Sequence, residues 1–125
     1  MTHPRRVLAV VPDLFFAAKI EAVARAAGTA LAFAAPGAAA ARVVAEPPDL
    51  VVLDLHAGPE VTELIRALKA DERTRALPLL GFHSHVDLET RRVALAAGLD
   101  RALPRSAFVA RMPELFGGAA APAAE

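Results

Sequence analysis

The 125-residue sequence contains no cysteine, no tryptophan and no tyrosine, so six phenylalanines are its only aromatic residues. Without cysteine the chain can form no disulfide, no thiolate zinc site and no cysteine nucleophile. An excess of charge of one sign is also missing, because 14 lysines and arginines balance 14 aspartates and glutamates. We therefore do not expect the basic surface that is typical of nucleic-acid-binding domains.

Long apolar runs and the common enzyme motifs are absent as well. No apolar run approaches the roughly 18 residues that cross a bilayer, and the basic start MTHPRR leads into a segment too short for a signal peptide. The sequence contains no GxGxxG, GxxxxGK(S/T) or GxSxG motif. We expect a cytoplasmic, single-domain protein that binds neither membrane nor nucleic acid and is not an enzyme.

The sequence does contain a regular alternation of apolar runs and helical patterns. The runs are continuous, as in strands covered on both faces, and span residues 6–11, 29–34, 49–54, 78–83 and 100–104. Helical patterns lie near residues 14–27, 36–46, 60–70 and 87–98, and from 106 onward. Alternating βα units require a parallel sheet with right-handed crossovers. We predict an α/β, flavodoxin-like sheet of order 2-1-3-4-5 over residues 5–116, followed by a low-complexity tail or linker at 117–125.

The first predicted helix shows the clearest periodicity. Its apolar stripe comprises Phe16, Ile20, Val23 and Ala27. Gly28 follows directly, at the position where a left-handed residue commonly ends a helix. The pattern therefore predicts both the buried face and the end of this helix.

The last predicted helix runs from Ser106 to Met112 and then meets Pro113. Proline lacks a backbone donor and clashes with the preceding turn, so we expect a kink or a restart at this residue. Leu115 and Phe116 are then expected to fold back onto the domain as an apolar anchor.

In the predicted strand order, the carboxyl ends of strands 1, 3 and 4 meet where ligands bind in open α/β sheets. The stretch PDLVVLDLHAGPE, residues 48–60, ends its apolar run on Asp54 at this edge. A carboxylate at the end of a buried strand costs free energy unless it is used or paired. Asp54 is therefore the first candidate functional residue.

Three segments resemble the receiver domains of two-component response regulators, the family of the chemotaxis receivers. They are PPDLVVLDL, ALKADERTRALPLLGF and ALAAGLDRAL, and the resemblance covers about residues 6–116. It implies that Asp54 stands at the phosphoacceptor position and that the partners are signalling proteins, either a histidine kinase or an effector domain. It leaves open whether the domain forms a homodimer.

The acidic pair that holds Mg²⁺ in that family is not matched. It falls on Val11 and Pro12, and Asp13 follows one residue later. With at most one carboxylate there, we expect no resident cofactor and at best weak Mg²⁺ binding. Asp13 is more simply explained as the residue that caps the first helix.

Three further site positions also differ from the family pattern. The hydroxyl position falls on His83, the lysine position on Arg105 and the aromatic position on Ala102. His83 either donates to Asp54 or packs over the mouth of the site. Arg105 either forms a bidentate pair with Asp54 or is solvated at the start of the last helix.

These departures favour a degenerate receiver that binds partner proteins without regulated phosphorylation. The alternative is a working phosphoacceptor that uses Asp54, with Arg105 and His83 as substitute site residues. A third hypothesis takes the histidines as a metal or pH sensor, because His56, His83 and His85 with Asp54 offer ligands that suit zinc.

Overall fold

The computed structural model describes residues 5–117, and the structural statements below concern these residues. The strands are β1 Arg6–Val10, β2 Ala30–Phe33, β3 Leu50–Asp54, β4 Leu79–His83 and β5 Arg101–Pro104. The helices are α1 Leu14–Ala27, α2 Pro36–Ala45, α3 Glu60–Ala70, α4 Leu88–Ala96 and α5 Arg105–Gly117. The predicted tail lies outside the described residues from 118 onward, while Gly117, which we assigned to that tail, ends α5.

The five strands form one parallel sheet of order β2-β1-β3-β4-β5, which confirms the predicted flavodoxin-like fold. In the register of the sheet, Val10 of β1 is opposite Leu53, and Asp54 is opposite Phe82 of β4. The carboxyl ends of β1, β3 and β4 therefore lie side by side. No helix in the described part of the chain is long and apolar enough to cross a membrane.

The core consists of two apolar clusters, one on each face of the sheet. The first lies between the sheet and helices α1 and α5, and the second lies between the sheet and α2, α3 and α4. All five residues of β3 are buried, as its continuous apolar run predicts. Phenylalanines concentrate in the first cluster, where the rings of Phe82 and Phe108 stack with centroids 5.0 Å apart.

Helix α1 has the predicted bounds but a slightly different buried face. Phe16 and Ile20 are buried as expected, and the stripe continues at Ala24. Ala27 is exposed, so its prediction as a core residue is wrong, because Ala24 fills the last core position before the final turn. Gly28 has a φ of 73° and ends the helix in the left-handed conformation, as predicted.

Helix α5 continues through Pro113, so the predicted restart is wrong. Phe108 and Met112 before the proline and Leu115 and Phe116 after it all pack into the first core cluster. Burial of both halves against one cluster offsets the backbone donor that proline lacks. The predicted apolar anchor at the end of the helix is confirmed.

Candidate functional site

Asp54 ends β3 at the carboxyl edge of the sheet, and its side chain is 5% exposed. Its Oδ1 accepts a hydrogen bond from the N–H of His56 at 2.9 Å, and its carbonyl oxygen accepts one from the N–H of Ala57 at 3.0 Å. These bonds form the turn that opens the β3–α3 connection. Within residues 5–117, Oδ2 accepts no hydrogen bond. This oxygen is not fully enclosed by the protein, so water can reach it.

The end of β1 offers no pair of carboxylates. Val11 is buried and Pro12 is exposed, and neither side chain can ligate a metal. Oδ1 of Asp13 accepts hydrogen bonds from the N–H groups of Phe15 and Phe16, at 3.0 and 3.3 Å. This confirms the interpretation of Asp13 as a helix cap, and its carboxylate stabilises the first turn of α1.

Arg105 begins α5 and lies against aromatic rings. Its guanidinium carbon is 4.3 Å from the ring centroid of Phe16 and 5.5 Å from that of Phe82. The negative faces of these rings attract the cation. No ion pair joins Arg105 to Asp54 in the described part of the chain, so the predicted bidentate pair does not form.

His83 ends β4 and is only 1% exposed. Its Nδ1 lies 2.8 Å from the carbonyl oxygen of Ser84, so Nδ1 carries a proton and donates it. Its Nε2 is enclosed and has no partner among the described residues. No hydrogen bond joins His83 to Asp54, so the alternative of a packed histidine describes this residue.

The alternation of side chains along each strand explains why His83 and Asp54 do not meet. Val52 lies in the first core cluster, so Asp54, two residues later, faces α1 and α5. Leu79 lies in the second cluster, so His83, four residues later, faces α3 and α4. The alternation of side chains along a strand could therefore have predicted from the sequence that His83 and Asp54 lie on opposite faces.

His56 connects two loops at the edge of the sheet, a role that the sequence did not indicate. Its Nε2 accepts a hydrogen bond from the N–H of Ser84 at 3.0 Å, and its Nδ1 lies 3.8 Å from Oδ2 of Asp87. Asp87 caps α4, since its two oxygens accept from the N–H and the hydroxyl of Thr90. The pKa of Asp87 is lowered, first by the Thr90 hydroxyl, then by its N–H, and less by the charges of His56 and His83.

Small residues on β4 and β5 fix the β3–α3 connection in place. A Cβ added at Gly81 would lie 2.6 Å from a methyl carbon of Leu55, the residue after Asp54. Ala102, at the aromatic position of the family pattern, is opposite Gly81 in the register. Because neither residue has a bulky side chain, Leu55 packs directly onto β4.

The residues present do not fit a metal ion. In residues 5–117, no three histidine, aspartate or glutamate side chains lie close enough together to hold one. His56 instead accepts from the backbone N–H of Ser84, and His83 donates to the backbone carbonyl of Ser84. This arrangement gives no support to the zinc hypothesis.

A cleft of about 720 Å³ opens at this edge of the sheet. Its lining contains two cations, two histidines and two hydroxyls but no carboxylate. The lining residues are Phe16, Lys19, His56, Ser84, His85, Arg105, Ser106 and Val109. The cleft therefore favours anionic or neutral groups over cations.

Exposed apolar side chains lie in the segments that follow β1 and β4. Leu14 and Phe15, at the start of α1, are 82% and 91% exposed. Val86 and Leu88, around the start of α4, are 74% and 65% exposed. These segments leave the carboxyl edge of the sheet, so apolar surface is concentrated near the cleft.

No protein-family model and no curated protein matches the sequence. Solved structures are similar, including a response regulator from Hahella chejuensis at 24% identity, with 90% of this chain and 92% of that chain covered and a TM-score of 0.76. The chemotaxis response regulator CheY4 of Vibrio cholerae is 17% identical, with coverages of 90% and 96% and a TM-score of 0.78. The receiver domain of sensor histidine kinase PA1611 from Pseudomonas aeruginosa PAO1, with a magnesium ion coordinated in its active site cleft, is 21% identical, with coverages of 94% and 100% and a TM-score of 0.75. The chain has the fold of these domains.

Proposed function

We propose that this protein is a degenerate receiver domain, a non-enzymatic protein–protein interaction module in signal transduction. In this proposal Asp54 undergoes no regulated, Mg²⁺-dependent phosphorylation. The receiver fold and the place of Asp54 at the end of β3 support the first part. The bonding of the groups around Asp54 supports the second.

The main support for the proposal is that the backbone N–H groups of His56 and Ser84, near Asp54, already donate hydrogen bonds. Phosphoryl transfer depends on placed donors and positive charge that stabilise the charge developing on oxygen. The N–H of His56 donates to Asp54 itself, and the N–H of Ser84 donates to the ring of His56. Both bonds would have to break before either group could bind a phosphoryl oxygen.

The side chains that might substitute for the missing site residues are also engaged elsewhere. Asp13 caps α1, and Nδ1 of His83 donates to the carbonyl of Ser84. The guanidinium of Arg105 lies over the ring of Phe16. Moving each of them to the carboxylate would cost an existing interaction, so we expect phosphorylation to be slow or absent.

One observation favours the alternative, a working phosphoacceptor. Oδ2 of Asp54 is open to water and accepts no hydrogen bond from the described residues. Arg105 is exposed at the start of α5, so its side chain has room to turn. In this alternative Arg105 leaves Phe16 and contacts the modified Asp54, with Mg²⁺ bound weakly, and His83 reaches Asp54 only if the end of β4 rearranges.

Incubation with acetyl phosphate and Mg²⁺, followed by intact-protein mass spectrometry, separates the two functions. We expect no phosphoryl adduct on the wild-type protein. A stoichiometric adduct that is absent from Asp54→Asn but present in Asp49→Asn would establish the alternative. Asp49 is the matched control because its carboxylate lies at the opposite edge, where it accepts from the N–H of Arg6.

The partners follow from the same proposal. A histidine kinase or an effector domain would dock at the carboxyl edge, where Phe15 and Val86 expose apolar surface next to the cleft. The homodimer and the cytoplasmic location remain predictions from the sequence.

A further inference from the structure

We propose that His56 is a proton-sensitive latch between the β3–α3 connection and the β4–α4 turn. The neutral ring holds the N–H of Ser84. The protonated ring releases that N–H and moves toward the carboxylate of Asp87. This device concerns the shape of the carboxyl edge and does not depend on whether Asp54 is phosphorylated.

The geometry assigns the protonation state in which the latch is closed. Nε2 of His56 accepts the N–H of Ser84 at 3.0 Å, so Nε2 must present a lone pair and the ring must be neutral with its proton on Nδ1. Nδ1 lies 3.8 Å from Oδ2 of Asp87, which is too long for a hydrogen bond. The closed latch therefore rests on the bond to Ser84.

Protonation of the His56 ring breaks its hydrogen bond with Ser84 and strengthens its attraction to Asp87. A proton on Nε2 would face the N–H of Ser84, donor against donor, and the bond cannot persist. The ring then carries a positive charge close to Asp87, which stays ionised because donation from Thr90 lowers its pKa. Repulsion on one side and attraction on the other both move the ring from Ser84 to Asp87.

Two histidines bond to the backbone of Ser84, His56 at its N–H and His83 at its carbonyl, and they differ in their access to protons. His83 donates from Nδ1 to the carbonyl of Ser84 and is 1% exposed, and this bond is compatible with either protonation state of its ring. The side chain of His56 is 40% exposed, so water can protonate it. The hydrogen bond from the N–H of Ser84 to His56 is therefore the one that responds to pH.

Charged and titratable groups face His56 from all the surrounding elements. They are Asp54 on β3, His83 and His85 after β4, Asp87 and Glu89 at the start of α4, Lys19 on α1 and Arg105 on α5. Glu89 is paired with Arg92, and Arg105 stacks on Phe16, so both are engaged elsewhere. Asp87 is the carboxylate at ion-pair distance from the ring and decides the direction of its movement.

Movement of the His56 ring would change the shape of two clefts, because the ring lines both. The ring lines the cleft of about 720 Å³ and also a second cleft of about 300 Å³ between α3 and α4. Release of the Ser84 N–H removes one of the bonds that hold the turn before α4, and the exposed side chain of Val86 lies in this turn. The apolar surface beside this turn therefore depends on whether the His56 ring is protonated.

Amide hydrogen exchange of Ser84, followed by NMR and corrected for the intrinsic rate, tests the latch. Between about pH 7.5 and about pH 5.5, the wild-type protein should lose protection at Ser84 by roughly tenfold. His56→Gln cannot titrate, so its Ser84 protection should be the same at both pH values. His85→Gln, the matched control next to Ser84, should behave like the wild type, and the amide of Val52 should stay protected throughout.

Three results would overturn the proposal. If protection of Ser84 in the wild type does not change with pH, the latch does not open. If the pH dependence persists in His56→Gln, the titrating group is another residue such as His83. Loss of protection at both Ser84 and Val52 would show unfolding of the whole domain instead of opening of the latch.

Discussion

Polar groups at the amino edge of the sheet form more hydrogen bonds than polar groups at its carboxyl edge. At the amino edge, Nζ of Lys69 donates to the carbonyls of Arg75 and Leu77, at 3.1 and 3.3 Å, and to Oδ2 of Asp100 at 2.7 Å. The same carboxylate accepts from the N–H of Leu79 at 2.8 Å. These bonds tie α3, β4 and β5 together, so this edge contributes to stability.

The carboxyl edge leaves comparable groups without partners. Oδ2 of Asp54 and Nε2 of His83 make no hydrogen bond with the described residues, and Phe15 is 91% exposed. Unpartnered polar atoms and exposed aromatic rings lower stability, so an edge that keeps both is not built for stability alone. The difference supports the proposal that partner proteins bind at the carboxyl edge.

Breaking the network of Lys69 should have the largest effect on stability. Lys69→Met leaves Asp100 and two carbonyls without their cation, and we expect the free energy of unfolding to fall by about 2 kcal/mol. Urea unfolding measures this change. Arg66→Met on the same helix is the control, because its pair with Glu63 is exposed and should contribute less than about 0.5 kcal/mol. Equal losses in the two variants would contradict the role of Lys69.

Neutralising Asp54 should have a much smaller effect. In Asp54→Asn the amide oxygen can still accept from the N–H of His56, and no cation loses a partner. We expect the free energy of unfolding to change by less than about 1 kcal/mol in the same urea experiment. A loss of more than about 2 kcal/mol would mean that a charged side chain pairs with Asp54 in solution.

A double-mutant cycle sharpens the same comparison for Arg105. Arg105→Gln removes the cation from the rings of Phe16 and Phe82, and we expect a loss of about 0.5–1 kcal/mol. Combined with Asp54→Asn, the coupling energy should be close to zero, because the two side chains form no ion pair. A coupling above about 1 kcal/mol would place Arg105 on Asp54 after all.

The smallest effect concerns Asp71, in the connection between α3 and β4. Hydrogen bonds from the side chain and then the backbone N–H of Arg73 lower its pKa from 3.8 to about 2. Because the folded pKa is depressed, the stabilisation from Asp71 is present above pH 3.8 and is lost as the pH falls through about 2. NMR titration of the side-chain carboxyl carbon should show this midpoint.

Arg73→Gln is the variant that checks this cause. It should raise the midpoint of Asp71 toward the ordinary value of 3.8 and leave Asp87, at the other edge, unchanged. A midpoint that stays near 2 in this variant would show that Arg73 is not responsible.

Local signals in the sequence were sufficient for much of the fold. Helix periodicity and end residues gave the bounds of α1, and the capping role of Asp13 followed from its position before the first apolar repeat. The run of apolar residues before Asp54 gave β3 and placed this residue at the carboxyl edge. Each of these features depends on residues that are close in the chain.

Contacts between distant segments were not predictable in the same way. The stacking of Arg105 on Phe16 depends on how α1 and α5 pack, and the bond from Ser84 to His56 depends on the course of two loops. No periodicity encodes either contact. The face on which His83 lies was available from strand alternation, but the identity of its partner was not.

The claim that Asp54 has kept its position but lost its catalytic partners is tested most directly by putting those partners back. The variant combines Pro12→Asp and Arg105→Lys, and it is compared with the wild-type protein by intact mass after incubation with acetyl phosphate and Mg²⁺. We predict a phosphoryl adduct on the double variant and none on the wild-type protein. An adduct that forms on the wild-type protein as fast as on the variant would contradict the claim.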